Sequence, residues 1–401
     1  MALLTPAEAD QVIANHMRPL AKEALPLVQC AGALLQEDIH AERDQPPFDR
    51  VAMDGVSLAS QAVREGLRSF RVQAFQAAGD PPAILADVAH CIEIMTGAKL
   101  AQGCDAVVPV ERVTRRGDTV VLDESVVVEP WQNVHRRGSD AREGARLLAA
   151  GTILRAPEIA VAASAGRPRL RVAVQPSIIV VSTGNELIDP GEPILPHQVR
   201  RSNTYGLVSQ LRLRGFSRVT DDHVVDDMAV LQRALRLHLD THDVLVLSGG
   251  VSAGRFDLVP QALIELGVQQ HFHKIAQHPG KPLWFGTTPA GVAVFGLPGN
   301  PVSSLVCLAR YVVPALRAAS GGVPRPQDAV ALAAPVRVKS PMAWFLPVRL
   351  AWDGQGALSA EPCPTNGSGD FTSLVGTDGF VELPPGPREC GRGFVAPFHP
   401  W

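Results

Sequence analysis

Residues Asp243 to Asp257 read DVLVLSGGVSAGRFD: an apolar run that dissolves into Ser248, the glycines Gly249, Gly250 and Gly254, and then an arginine and an aspartate. Such a run, without alternation, is how a strand buried on both faces of a parallel sheet reads. The loop after it has almost no side chains. In an open parallel sheet, ligands bind beyond the carboxyl ends of the strands, where loops and helix amino termini turn their N–H groups outward. Missing side chains let those amides approach phosphate oxygens.

Two other stretches repeat the pattern, SIIVVSTGNEL from Ser177 to Leu187 and GVAVFGLPGNP from Gly291 to Pro301. Between the three runs, NTYGLVSQLRLRG, MAVLQRALRLHL and DLVPQALIELG have helical spacing, with Asn203, Asp227 and Asp257 as candidate caps. The alternation predicts a doubly wound, parallel-sheet α/β domain over residues 175–322. Neither the GxxxxGK[ST] of a P-loop nor the GxGxxG of a dinucleotide fold is present.

Outside this domain the texture changes. Thr5, Pro6 and Glu8 form a capping-box signature that starts a helix of about three turns. Short Val-rich runs separated by turns mark a β-rich insert over 45–140. AREGARLLAAGTIL and APEIAVAASAG return to helical spacing, so residues 1–44 and 141–174 are expected to form a discontinuous helical or linker domain. After GGVPRPQ, residues 323–401 read as a small, barrel-like all-β domain.

Composition narrows the function. A hydrophobic fraction of 46%, a charged fraction of 19% and a net charge of −3 describe a globular chain without a polybasic surface, so nucleic acid is not an expected partner. The six cysteines include no CxxC pair and suit reduced thiols. The acidic amino terminus lacks the form of a signal peptide, and no run of about 18 apolar residues is evident, so a cytoplasmic location without a membrane partner is expected. Glu186, Asp226, Asp227 and Asp257 follow the strand ends; carboxylates beside an anion-binding loop imply a bridging Mg²⁺, though helix capping is an equal reading for the three aspartates. Lys274 and Lys281 add cations near the next turn, and Lys281 is held between Gly280 and Pro282.

The ordered set MDG, MTGA, RRGSD, STGNEL, SGGVSAGRFD, PGKP, LPGNPVSS and NGSGDFTSL closely resembles the molybdopterin molybdenumtransferase family, and also the related carboxyl-terminal domain of gephyrin. The resemblance covers nearly the whole chain. It implies four-domain subunits in a homodimer, with the active site between the α/β domain of one subunit and the insert of the other. It implies that molybdate and adenylylated molybdopterin are substrates, with Mg²⁺-dependent release of AMP. Asp54, Asp140, Glu186, Asp226, Asp257, Lys274 and Lys281 match the family's functional acidic and basic positions, with Glu186 and Asp257 as the Mg²⁺ ligands.

Substrate contacts are expected from Thr96, Gly97 and Arg137 in the insert and from Thr183, Gly184 and Asn203 at the first strand end. The central loop would add Ser248, Gly249, Gly250, Val251, Ser252 and Gly254. The last loops would add His278 and Gly280, then Pro298, Gly299, Asn300, Pro301 and Ser303. A molybdopterin adenylyltransferase and acceptor molybdoenzymes are the implied partners. This chain has His135 and His278 where the family often has permanent cations, Lys99 and Ala101 where prolines are usual, and Val56 where an aromatic follows MDG. Imidazoles carry only partial charge near neutral pH, so weaker, pH-dependent anion affinity or altered chemistry is one expectation and drift at a tolerant rim the other. Two further readings stay open, an adenylyltransferase that shares the α/β fold and a non-catalytic scaffold. Asp54 and Asp140 on an extra domain speak against the first, and the intact acidic set against the second.

Overall fold

The computed structural model of the chain describes residues 3–251, 258–323 and 326–401. Its central sheet has six strands: β1 (Ile178–Thr183), β2 (Val219–Val224), β3 (Val244–Ser248), β4 (Gln269–His273), β5 (Trp284–Thr287) and β6 (Ala293–Leu297), in the order β2-β1-β3-β6-β5-β4. The first four in that order are parallel, whereas β5 runs antiparallel to both of its neighbours, β6 and the edge strand β4. The three apolar runs are therefore neighbours at the middle of the sheet, and their glycine loops leave from one edge.

Strand periodicity splits each run between two cores. Ile178, Val180, Val244 and Val246 pack on one face with Leu207 and Leu211 of helix α1 (Asn203–Leu213). On the other face, Ile179, Val181, Leu245 and Leu247 meet Leu231 and Leu235 of α2 (Met228–Thr241) and Leu263 of α3 (Leu258–Glu265). Asp227 caps α2 through the amides of Ala229 and Val230. Asn203 does not cap α1; it is that helix's first residue, after Ser202. Asp257 lies outside the described residues, as do Ser252 and Gly254. The helix that follows β6, Pro301–Ala319, is by length and mean hydropathy able to span a membrane, but it is interrupted by Ser303, Ser304, Arg310 and Arg317 and is 61% buried inside the fold.

The amino-terminal helix forms as the capping box predicts, over Pro6–His16. Its buried Ala9 and Ile13 join the core beneath β1 and β3. The segment AREGARLLAAGTIL is not helical: Arg146–Leu148 is a strand that pairs with Ile39–His40. Beside it, Lys22–Pro26 pairs with Arg169–Ala173, so the chain leaves and re-enters one small unit that also holds the helix Ala156–Ser164. The insert is a six-stranded sheet in which Gly55–Leu58 lies between His90–Ile94 and Ala106–Pro109. At the carboxyl end, Ala343–Trp352 pairs with both Leu358–Pro362 and Gly379–Leu383, which closes a ring of strands through Ala329–Leu332 and Val395–Pro400.

Gly55 opens a fully buried central strand, and a Cβ on it would fall 2.0 Å from the Val108 carbonyl oxygen. Gly55→Ala should therefore force the strands apart and destabilise the chain by about 1–3 kcal/mol, seen as a lowered midpoint in thermal or urea unfolding.

Candidate active site

The glycine loops after β1, β3 and β6 meet above the sheet. Gly249 and Gly250 have φ of +99° and +65°. A Cβ on Gly249 would lie 2.9 Å from the Thr183 carbonyl oxygen, and one on Gly250 would lie 2.9 Å from Thr183 Oγ1. Glycine is thus required by the neighbouring loop as well as by any ligand. Asn203 Nδ2 donates to Ser248 Oγ at 3.1 Å and to the Gly299 carbonyl at 2.7 Å, tying α1 to the other two loops.

These loops line a cavity of about 750 Å³. It gathers Thr183, Gly184, Glu186, Asn203, Asp226, Ser248, Gly249 and Gly250 with Pro298, Gly299, Asn300 and Pro301. The first residues of α1 and of the helix starting at Pro301 are on its wall, so two helix amino termini add their partial positive charge there. The Thr183 hydroxyl is buried on this wall with no hydrogen-bond partner among the described residues. An acceptor such as a phosphate oxygen would satisfy it.

Glu186 folds back over Gly184: a Cβ there would lie 2.7 Å from Glu186 Oε2. Across from it, the Asp226 amide donates to Asn185 Oδ1 at 3.0 Å. Both acids line the cavity, and with carbonyls and hydroxyls around them the donors are oxygens of the kind Mg²⁺ takes. Among the described residues, no group of three His, Cys, Asp or Glu side chains is placed to hold a metal by itself. The fit is to an ion that completes its shell with water and substrate phosphate.

The remaining candidates stand off the cavity wall. Lys274 and Lys281 sit at the neck of one loop, closed by Lys274 N to Leu283 O and Ile275 N to Lys281 O, each 2.8 Å. Lys274 has a left-handed φ of +79° and Lys281 is exposed beside the cavity-lining Pro282. His278 is exposed, and Ser303 is buried. Gly280 is a packing requirement, because a Cβ would meet Cys307 Sγ at 2.6 Å. Val251 turns its side chain into the core, while its carbonyl is bonded by His273 Nε2 at 2.7 Å.

On the insert, MDG and MTGA come together: the amide and hydroxyl of Thr96 both donate to Asp54 Oδ1 at 2.7 Å, and Gly97 N donates to the Val51 carbonyl. The Thr96 hydroxyl, and then its amide, hold the Asp54 carboxyl below the usual range. Arg137 and Asp140 form no ion pair with each other. Arg137 Nε reaches Asp44 at 2.7 Å, and Asp140 accepts from Ser139 Oγ at 3.1 Å. His135 lies opposite Arg50 in a short antiparallel ladder.

Nine lining residues were not singled out in the sequence, among them Arg201, Thr204 and Phe371. Arg201 is only 8% exposed and bonds Asp189 at 2.5 Å and Asp221 at 2.8 Å, a buried arrangement that no local motif announces. Thr204 opens α1 beside Asn203. Phe371 lies in NGSGDFTSL, whose Ser368 accepts from Asn300 Nδ2 at 2.7 Å, so the motif was a usable signal.

A wound sheet whose glycine loops and helix amino termini enclose one cavity has the form of a ligand-binding α/β domain, and residues 179–318 match the model described as probable molybdopterin binding domain. Residues 4–166 match the MoeA N-terminal region (domain I and II), and residues 329–401 the MoeA C-terminal region (domain IV). The chain is 38% identical over 404 residues to molybdopterin molybdenumtransferase of Synechocystis, with all of both chains covered. It is 33% identical to the enzyme of that name from Synechococcus elongatus, covering 94% of this chain and 93% of that one. A crystal structure of the molybdopterin biosynthesis moeA protein from Pyrococcus horikoshii superposes with a TM-score of 0.80 at 29% identity, over 100% of this chain and 99% of that one. The chain belongs to the molybdopterin molybdenumtransferase family.

Asn203→Ala should cut the tie between α1 and the other two loops. The expected cost is about 1 kcal/mol, with faster hydrogen exchange at the Gly249 and Gly250 amides. Thr96→Val should raise the Asp54 pKa, read by NMR titration of the side-chain carboxyl. Because the folded value is depressed, the pair's contribution to stability is complete above about pH 3.9 and is lost as pH falls through the folded value; the variant should show less of that acid-dependent loss.

Proposed function

We propose that this chain inserts molybdenum, taken from molybdate, into adenylylated molybdopterin, hydrolysing the adenylate and releasing AMP. The observation that carries this reading is the single cavity in which the STG, SGG and LPGNP loops meet Glu186 and Asp226. Amides and helix amino termini bind the phosphate oxygens, and the carboxylates orient the attacking water, so rate comes from placed charge and positioning. Glu186 and Asp226, with Asp257 outside the described residues, are the acids that would hold Mg²⁺. When bound, the ion would offset charge on the phosphates. Lys281, together with Arg137, is proposed to place molybdate.

Asp54, Asp140 and Arg137 are not among the residues lining the cavity. A second copy of the chain is proposed to supply them, so that the working enzyme is a homodimer with each site shared. A cytoplasmic setting, substrate received from a molybdopterin adenylyltransferase and product passed to acceptor molybdoenzymes complete the proposal. Adenylylation by this chain is disfavoured, because relatives matched along the full length carry the molybdenumtransferase name.

The purified protein, given adenylylated molybdopterin, Mg²⁺ and molybdate, should release AMP and yield cofactor that activates an apo-molybdoenzyme. ATP use with free molybdopterin, and no AMP release, would support the adenylyltransferase instead. Glu186→Gln should lower kcat by about 10²-fold with little change in unfolding midpoint.

A further inference from the structure

The loop leading into RRGSD holds an unusual residue. Trp131 has φ of +67°, in the left-handed region that glycine enters freely and a bulky side chain resists. Asn133, at +57°, belongs to a residue type that tolerates this conformation; tryptophan does not. The backbone is held there by Trp131 N to the Asp105 carbonyl at 2.6 Å and by Ala52 N to the Asn133 carbonyl at 3.0 Å.

The strained residue is not a core residue. The residue is 38% exposed, and the Arg136 guanidinium carbon lies 3.5 Å from its ring centroid. Arg136 is itself 54% exposed and is steadied by Asp49, whose Oδ1 is 3.5 Å from Arg136 Nε and accepts the Arg137 amide at 2.9 Å. The loop is tied to the strand that leads into MDG, since Val134 and His135 lie opposite Val51 and Arg50. Around Asp54, Met53 and Val110 are exposed, and the Val110 amide donates to the Asp54 carbonyl at 3.0 Å. A backbone outlier that presents an exposed indole under a guanidinium, three residues before the strand that pairs with Arg50–Val51, points to recognition.

We propose that the Trp131–Arg136 stack is a platform for the planar heteroaromatic ring of the substrate, either its adenine or its pterin, beside the Asp54–Thr96 pair. This rests on the proposed function. Indole and guanidinium are both flat, both partly open, and together offer a polarisable face with positive charge, which suits a nitrogen heterocycle attached to phosphate. The neighbouring Arg137, with its Nε held by Asp44, keeps its two terminal NH₂ groups available to that phosphate in the described hydrogen bonds.

The test uses the full chain, with AMP and a pterin monophosphate as separate probes in calorimetric titrations, and AMP release as the activity readout. Trp131→Gly should bind one of the two probes about tenfold more weakly and raise the substrate KM similarly while kcat changes little, and Trp131→Phe should restore most of the affinity. Loss for AMP alone assigns adenine to the platform, and loss for the pterin alone assigns the pterin. Because glycine relieves the left-handed strain, the unfolding midpoint of Trp131→Gly should equal or exceed that of wild type. Unchanged affinity for both probes and unchanged KM, in a folded and active variant, would overturn the platform. Absence of AMP release from the wild type would instead overturn the function on which it rests.

Discussion

Everything at the candidate site depends on how closely three loops approach one another above adjacent parallel strands. Thr183 lies so near the backbone after β3 that Gly249 and Gly250 have no room for a side chain, and Gly299 packs its own α-carbon region against Gly249. Once these corners touch, their amides and the first turns of two helices are forced to face the same cavity. Asn203 then crosses from α1 to two of the loops, so the wall is cross-linked by hydrogen bonds as well as by contact. The sterically imposed convergence adds backbone amides to a wall that Glu186, Asp226, Arg200 and Arg201 also line.

A second constraint sets what stands over that cavity. Arg310, in the middle of the helix after β6, bonds Asp10 of the amino-terminal helix and Glu382 of the carboxyl-terminal barrel, each at 2.9 Å, and His399 lies 3.3 Å from the same glutamate. Burial pushes the Asp10 carboxyl up despite its arginine, while the Glu382 carboxyl ends below the usual range: burial raises it, but His399 and Arg310 outweigh that. Buried charges of this kind are costly to separate and weakly stabilising in place, so their main effect is to fix geometry. The barrel is held where Ser368 can meet Asn300, and Phe371 thereby reaches the cavity wall.

Much of the fold was legible because strands buried on both faces leave a strong trace. The runs at Ile178, Val244 and Ala293 needed no partner information to read as buried strands of an α/β sheet, and the structure makes them neighbours. Thr5 and Glu8 likewise announced a helix, but only the folded chain shows that Ala9 and Ile13 complete the core of a domain more than 160 residues away in sequence. AREGARLLAAGTIL misled because Ala, Leu, Arg and Glu favour helix locally, whereas pairing with Ile39–His40 decides the outcome. At the site, the glycines were readable and half of their reason was not: close approach of Thr183 is a tertiary fact. Arg201 was invisible for the same cause, since Asp189 and Asp221 reach it from separate segments.

The charges on the cavity wall carry a further step. Glu186 and Asp226 face it, while Arg201 is neutralised by two carboxylates and Arg200 spends its Nη1 on the carbonyls of Asp189 and Glu192. A phosphorylated ligand entering this wall meets negative charge, and two like charges a few ångströms apart repel by about 4 kcal/mol at an effective dielectric of 20. Amides and helix termini offset part of this, each terminus contributing roughly 0.3–1 kcal/mol. On the function proposed above, the balance would come from cations that approach with or after the ligand: a divalent ion, the exposed Lys281 and arginines of the insert. A cavity built this way would hold a phosphorylated substrate weakly until such charges assemble. On that proposal, binding and assembly of the complete site would be one event, with the electrostatic gain falling where the phosphate is enclosed.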